Sequence, residues 1–400
     1  MATLSIVIPA YNEESAIEAI IARCLGAREM ICREAGLSSV EIIVVDDGSR
    51  DRTRALASGF SGISLIPHPA NRGYGAALLT GFSAASGDYL GFLDADGTCD
   101  PLAFIELYRA LARSGADMAV GNRLHGGSRM PKLRALGNRF YAAVISRLSG
   151  TTVRDSASGM RLFSRGLLDR LRPLPSGLHF TPAMTARVAC MGGRIVEVPI
   201  PYAERQGSSK LNVLADGFRF LGVILGVIFA YFPLRLFGPL GLAFALVAAA
   251  YGVGPVSYYL AHRALLLPEM TYRLLTIATL SVCALTALTF GLLAQRLSDI
   301  ALRRPAGRLD APWLKRGALA LGTALIAAGV LLNSETILQY ATTRHIEQPW
   351  VYVLVGGLAV NCGTLLACFG VTLGIVAHFP RRDSVEKFPS EGHRSARPRA

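Results

Sequence analysis

The chain is 400 residues long, 52% hydrophobic and only 17% charged, with a mean hydropathy of +0.39. That length leaves room for two or three domains, and that balance excludes an ordinary soluble protein. The net charge of +13 does not point to nucleic acid, because many of the basic residues flank apolar stretches; anionic lipid headgroups and phosphorylated substrates are the partners it implies.

The opening "MATLSIVIPAYNEE" has no basic n-region and no small-residue cleavage site, so it predicts a first β-strand rather than a secretory leader. "LSIVIPAY" (Leu4 to Tyr11) and "VEIIVVDDGS" (Val40 to Ser49) are Val/Ile-rich runs ending in polar turns. A helical stretch, "EESAIEAIIARCL", lies between them, which is a βαβ pattern and predicts a parallel sheet with helices on its faces. "ISLIPH" (Ile63 to His68) reads as a third strand and "DYLGFLDAD" as a fourth, separated by "NRGYGAALLTGFSAASG", a Gly-rich turn opening a helix. The seven cysteines are scattered with no CxxC pair, which fits reduced thiols rather than a disulfide framework or zinc site.

After Phe220 the chain becomes long uncharged stretches. Four are long enough for a hydrocarbon core of about 30 Å, which needs roughly 20 residues: Phe237 to Ala261, Leu274 to Gln295, Gly317 to Ser334 (the shortest) and Trp350 to Ala377. The link between the second and third carries Arg296, Arg303, Arg304, Arg308, Lys315 and Arg316, and the C-terminal tail carries six more basic residues, whereas the other two loops hold only Arg263, Arg273 and Arg344. That asymmetry predicts four spans with both termini cytoplasmic, as in a bacterial inner membrane. Phe220 to Leu234 is short for a span and Pro233 interrupts it, so it reads as a helix lying at the membrane interface. A fifth span is the alternative, and it would put the tail outside. The organisation expected is a catalytic domain over 1–211, an interfacial amphipathic region over 212–236, four transmembrane helices over 237–379 and a basic disordered tail over 380–400.

Ligands of open α/β sheets bind beyond the carboxyl ends of the strands. At those ends sit Pro9, Tyr11 and Glu13, then Asp46 and Asp47, then Asp94 and Asp96. Carboxylates gathered in this way repel unless a cation joins them, and hard oxygen ligands suit Mg²⁺ or Mn²⁺, which commonly bridge a carboxylate to a diphosphate. Neither G-x-x-x-x-G-K-[ST] nor an early G-x-G-x-x-G is present, so the metal and basic side chains are expected to hold the phosphates.

In their order and spacing, "SIVIPAYNEE", "VVDDGSRDRT", "NRGYGAAL", "GDYLGFLDADGTCDP", "DSASGMRLFSR" and "ERQGSSKLN" resemble the family 2 glycosyltransferases of GT-A fold, and among them the polyprenyl-phosphate sugar transferases of the dolichyl-phosphate mannose synthase type. The resemblance implies an α/β fold with an open, mainly parallel sheet. It also implies a nucleotide-sugar donor, a polyprenyl phosphate acceptor and a divalent metal. On its motifs, Pro9, Tyr11, Glu13, Asp46 and Asp47 line the nucleoside pocket, and Asp94 and Asp96 hold the metal and through it the donor diphosphate. Arg123 and Arg139 receive the lipid phosphate. Arg205 and Lys210 close over both phosphates. Asp155, Ser158 and Gly159 shape the sugar pocket. The catalytic set is then Asp96, Arg123, Arg205 and Lys210. Homo-oligomers are a possible assembly, and nucleic acid is not expected as a partner.

Two departures stand out. Thr98 occupies the position where some relatives carry an amide two residues after the second metal aspartate, and "LHFTPAMTAR" lacks the carboxylate that supplies a general base in many family 2 enzymes. A sugar hydroxyl needs such a base. A lipid phosphate, already anionic, needs only positive charge against the donor's diphosphate. His179 reads as structural. Competing readings are a processive polysaccharide synthase, disfavoured because no Q-x-x-R-W motif is present, and a lipid-sugar flippase with a fused regulatory half, disfavoured by spans almost without ionisable groups.

Overall fold

The computed structural model describes residues 2–124, 130–203, 213–262, 270–302, 304, 309, 311–346 and 349–377. The chain forms two compact units, Met1–Ala230 and Tyr231–Ala400. The first unit runs β1 (Thr3–Ala10), α1 (Ile17–Ala35), β2 (Ser39–Asp46), α2 (Thr53–Ser58), β3 (Ser64–Pro67), α3 (Tyr74–Ala84), β4 (Tyr89–Phe92), α4 (Ala103–Ser114) and β5 (Met118–Asn122). It continues with α5 (Lys132–Ser149), β6 (Arg161–Ser164), α6 (Arg165–Leu171), α7 (Phe180–Cys190), β7 (Ile195–Pro199) and α8 (Val213–Tyr231).

Seven strands form one sheet in the order β3-β2-β1-β4-β6-β5-β7. β6 runs antiparallel to both neighbours, β4 and β5, and the other pairs are parallel. The apolar runs explain the burial. β1 is buried from Leu4 onward on both faces, as strands covered by helices on each side must be. On one face Leu4, Ile6 and Ile8 pack with Ile17, Ile20 and Cys24 of α1 and with Phe104 and Leu107 of α4. On the other, Val7, Val45 and Phe92 pack with Phe82 of α3 and Phe180 of α7. The rings of Phe82 and Phe163 meet edge-on at 5.4 Å, a favoured aromatic geometry.

The short antiparallel β6 brings a charged residue into this interior. Arg161 is fully buried, and its guanidinium is spent on backbone: Nε donates to Ser158 O at 3.1 Å and Nη2 to Ser156 O at 2.8 Å. Burial pushes its pKa down to about 10, against the pull of Asp155, so the side chain still carries its proton at neutral pH.

α8 covers the stretch read as interfacial. It buries Phe220, Ile224, Val227, Ile228 and Tyr231 along one stripe and leaves Phe218 exposed. The helix stops at Tyr231 because Pro233 cannot continue it.

The second unit holds α9 (Leu234–His262), α10 (Thr271–Ala301), α11 (Pro312–Thr343) and α12 (Trp350–Ala377). All four are long and apolar enough to cross a membrane, with mean hydropathies of 1.9, 2.0, 1.7 and 1.9. α11 is much longer than the uncharged run that announced it, because Arg316 and Glu335 end the hydropathy without ending the helix. α11 and α12 touch through glycines seven residues apart. A Cβ on Gly322 would stand 2.7 Å from Gly363 O, and one on Gly329 2.5 Å from Gly356 O. Small residues let helix backbones approach in this way where lipid supplies no hydrophobic drive. Gly363→Leu should therefore force the pair apart and destabilise the second unit by about 1–3 kcal/mol, an overpacking cost. A lowered thermal midpoint in detergent would record it, with Gly357→Leu, where a Cβ meets nothing within 4 Å, left near wild type.

Candidate active site

A cleft of about 480 Å³ opens at the carboxyl ends of β1, β2, β4 and β5. The strand ends contribute Pro9, Tyr11, Glu13, Asp47, Asp94, Asp96 and Arg123 to its lining. The walls come from the loop before α3, from α5, from the turn before β6 and from the first turns of α8.

The floor is built by hydrogen bonds between loops. Asn12 sits at φ 51°, its N–H donating to Ser49 Oγ at 3.0 Å and its Oδ1 accepting from Arg50 N at 2.8 Å. Glu13 N donates to Thr53 Oγ1 at 2.8 Å. These bonds tie the turn after β1 to the turn after β2. Asp46 is buried and accepts from Ser49 N at 3.2 Å within its own turn, and it does not line the cleft. Asp47 does. Its Oδ1 accepts from Arg72 N at 2.9 Å and its Oδ2 from Gly73 N at 2.8 Å. His68 Nδ1 lies 2.7 Å from the same carboxylate, and its Nε2 lies 2.9 Å from Thr80 Oγ1. Gly73, at φ 100°, adopts a backbone that side chains avoid, and a Cβ there would stand 2.6 Å from Ser176 O. The loop before α3 is thus fixed by Asp47 and by the lack of a side chain at Gly73.

That loop delivers Tyr74, whose hydroxyl donates to Asp94 Oδ1 at 2.7 Å. Burial, then the Asp94 charge, holds the Tyr74 pKa well above its ordinary value, so the hydroxyl remains a donor. The other Asp94 oxygen lies against Gly159, where a Cβ would overlap it. Asp96 is tied by its own turn: Oδ1 accepts from Thr98 N at 3.1 Å and Thr98 Oγ1 at 2.7 Å. Thr98, the departure noted in the sequence, therefore turns its hydroxyl onto Asp96.

Arg123 is nearly buried and clamped to Asp155. Its Nε and backbone N each lie 3.0 Å from Asp155 Oδ2, and its Nη2 lies 3.0 Å from Oδ1. Asn138 Nδ2 adds a donor to Oδ1 at 2.6 Å. Burial alone would raise the Asp155 pKa, but the Arg123 charge and these donors hold it below the usual carboxylate range. The Tyr202 ring covers the guanidinium at 5.5 Å. The turn before β6 is locked as firmly: Asn138 Oδ1 accepts from Ser156 N and Ser156 Oγ, and Ser158 Oγ donates to Gly121 O at 2.6 Å.

The family sequence model of glycosyl transferase family 2 matches residues 5–172. The dolichyl-phosphate hexose transferase of Haloferax volcanii is 33% identical over 218 residues, covering 54% of this chain and 89% of that protein. The chain belongs to glycosyl transferase family 2. The low-salt glycan biosynthesis hexosyltransferase Agl6 of the same organism is 36% identical over 61% of this chain, and the match spans 59% of that protein's length. The undecaprenyl-phosphate 4-deoxy-4-formamido-L-arabinose transferase of Pseudomonas paraeruginosa is 29% identical over 62% of this chain and 72% of its own.

The family 2 residues expected from the sequence divide into four groups. Pro9, Tyr11, Glu13, Asp47, Asp94, Asp96, Arg123 and Gly159 line one cleft. Asp46, Asp155 and Ser158 lie behind it, fully or almost fully buried, and bind neighbouring loops. Arg139 is exposed on α5 and outside the lining, while Arg134 is inside it. Five residues turn a helix by about 140°, so the two cannot share a face. Arg134, Gly137, Asn138 and Tyr141 do share the cleft face, at the i, i+3, i+4 and i+7 spacing of one helical stripe. Arg205 and Lys210 lie outside the described residues. The sequence reading missed Arg134 and Asn138 as site residues and took Tyr74 for a turn. The helical spacing of the first two was available, but not which face of α5 met the cleft.

Proposed function

We propose that this family 2 glycosyltransferase moves a sugar from a nucleotide-sugar donor to a polyprenyl phosphate, giving a polyprenyl-monophosphate sugar. One observation carries the reading. The cleft is lined by two strand-end carboxylates, Asp94 and Asp96, and by two arginines, Arg123 and Arg134, while α7 offers no Asp or Glu to act as a base. That is an arrangement for an acceptor that is already anionic. The names of the two relatives that carry dolichyl- or undecaprenyl-phosphate transferase activity agree with it.

The donor set fits a divalent cation of the Mg²⁺ or Mn²⁺ kind. Among the described residues no group of three or more His, Cys, Asp or Glu could hold a metal alone, so the remaining ligands would be diphosphate oxygens and water. Gly159, bare of a side chain, gives the Asp94 carboxylate its place in the cleft, where a Cβ would overlap Oδ2. Such an ion supplies charge neutralisation on the departing nucleoside diphosphate.

The remaining roles belong to the chain. Pro9, Tyr11, Glu13 and Asp47 hold the nucleoside. Arg123, its orientation fixed by Asp155, and Arg134 orient the acceptor phosphate and offset its repulsion from the donor. A phosphate oxygen forms the bond to the anomeric carbon as the bond to the diphosphate breaks, inverting the centre, with no proton to remove. Arg205 and Lys210, outside the described residues, are the further cations that the family resemblance assigns to the phosphates. At the cleft rim α5 exposes Leu133, Leu136 and Phe140, 63%, 65% and 52% exposed, with Lys132 and Arg139 beside them. An apolar face edged by cations suits a lipid surface. The four apolar helices anchor the chain in the bilayer that dissolves its acceptor, with the catalytic unit and both termini cytoplasmic by the distribution of basic residues.

The test is a transfer assay on the full chain in detergent, with undecaprenyl phosphate, Mg²⁺ or Mn²⁺ and a panel of labelled UDP- and GDP-sugars. A labelled, acid-labile lipid is the expected product. Label in a polymer and none in lipid would refute the reading. Arg134→Ala should raise the KM for the lipid phosphate by about tenfold to a hundredfold, the worth of one charged contact, and leave the KM for the donor within about twofold.

A further inference from the structure

We propose that Tyr74 is a positioning residue for Asp94, holding the carboxylate in the orientation that the divalent cation needs. The inference rests on the metal-site reading above.

Asp94 is gripped from two sides. Tyr74 donates to Oδ1 at 2.7 Å, and Oδ2 lies against the bare α-carbon of Gly159. The hydroxyl thus fixes the rotation of the carboxylate about its Cβ–Cγ bond, and the glycine leaves room for the second oxygen. Thr98 ties Asp96 in the same manner, through Oδ1. Each aspartate of the Asp-x-Asp therefore has at least one oxygen held by a donor of the protein. A hydrogen bond to a carboxylate is among the stronger kinds, and partners that orient metal ligands are worth about ten- to a hundredfold in metal affinity.

Tyr74 is held independently of this bond. Asp47 fixes Arg72 N and Gly73 N, Ala77 N donates to Gly73 O at 3.0 Å, and Ala76 N donates to Ser176 O at 3.0 Å. The ring packs on the apolar cluster under α3. The phenol oxygen can be removed while the ring stays where it is, so the bond to Asp94 is not needed for the fold. The same bonds run from Asp47, on the nucleoside side of the cleft, through the loop to Asp94.

Tyr74→Phe in the full chain isolates that oxygen. Mn²⁺ alone is the probe, its free fraction read by electron paramagnetic resonance in the absence of donor and acceptor. The expected result is a Kd for Mn²⁺ raised about ten- to a hundredfold, with the thermal midpoint of the metal-free protein unchanged. An unchanged Kd would overturn the proposal. A lowered Kd would too, because the hydroxyl would then compete with the cation for the carboxylate. A metal-free midpoint that falls markedly would assign the tyrosine to packing instead. Asp96→Asn is the companion variant. If it still binds Mn²⁺ as wild type does, the metal-site reading fails and takes this inference with it. If it loses Mn²⁺ while Tyr74→Phe does not, the inference alone fails.

Discussion

Replacing Asp155 by alanine should cost about 3–5 kcal/mol of stability, the cost of leaving a buried charge without its partner. The geometry makes this carboxylate a node. It accepts three bonds from Arg123 and one from Asn138, and its own N–H donates to Glu197 Oε1 at 3.0 Å. Its removal strands the Arg123 guanidinium, which is almost wholly out of water, and frees the turn that carries Gly159 to Asp94. The expected readout is a thermal midpoint several degrees lower in detergent, with transfer activity lost in parallel. Arg123→Met with Asp155→Leu should recover part of the stability and none of the activity, since an apolar pair leaves no buried charge. The sign of the pH effect follows from the folded-state pKa, which lies below the unfolded value of about 3.9. Asp155 thus adds stability that is complete above the unfolded pKa and disappears as pH falls through the folded one. An acid titration of wild type should show that loss, and Asp155→Asn should lack it. A change in stability under about 1 kcal/mol for Asp155→Ala would refute the assignment of this pair as a node.

Much of this site could be read from the chain because it sits where apolar runs end. β1, β2 and β4 announce themselves as continuous Val, Ile, Leu and Phe, and the polar residue that follows each run must lie at the same edge of a parallel sheet. Pro9, Asp47, Asp94 and Asp96 were legible on that ground. Asp46 and Asp47 are adjacent and chemically identical, and only the turn geometry decides that the second faces the cleft. The pairing of Arg123 with Asp155 spans 32 residues and leaves no local trace. β6 was hidden for a related reason. It is four residues long and opens with Arg161, a residue that is almost never fully buried unless paired; here the carbonyls of Ser156 and Ser158 satisfy it. Arg134 and Arg139 differ only in helical phase, which matters only once the cleft has a location. The four apolar helices were legible through hydropathy alone, and their ends were not, because an α-helix continues through charges that a hydropathy window rejects. The α11 ends at Pro312 and Thr343 show this.

Asp96→Ala should lower transfer by at least about 10³-fold, and Gly159→Ala by about 10²-fold, through the same carboxylate pair. The first removes one of two strand-end aspartates in the cleft, and a lost charge-stabilising contact of this kind costs about 10²–10³ in rate before any metal contribution is added. The second adds only a methyl group. That methyl would overlap Asp94 Oδ2, and the side chain must swing away, taking with it the bond from Tyr74. A displacement of about 1 Å in a positioned group can cost about 10²-fold. The two variants separate chemistry from geometry. Excess Mn²⁺ should rescue Gly159→Ala in part, since its aspartates are still present, and should not rescue Asp96→Ala. Gly26→Ala, on α1 where a Cβ meets nothing within 4 Å, is the neutral control and should add a few tenths of a kcal/mol to about 1 kcal/mol of helix stability. Equal activity in Gly159→Ala and wild type would mean that Asp94 tolerates displacement. Its carboxylate would then have no fixed place in the reaction, and the Asp-x-Asp would act through Asp96 alone.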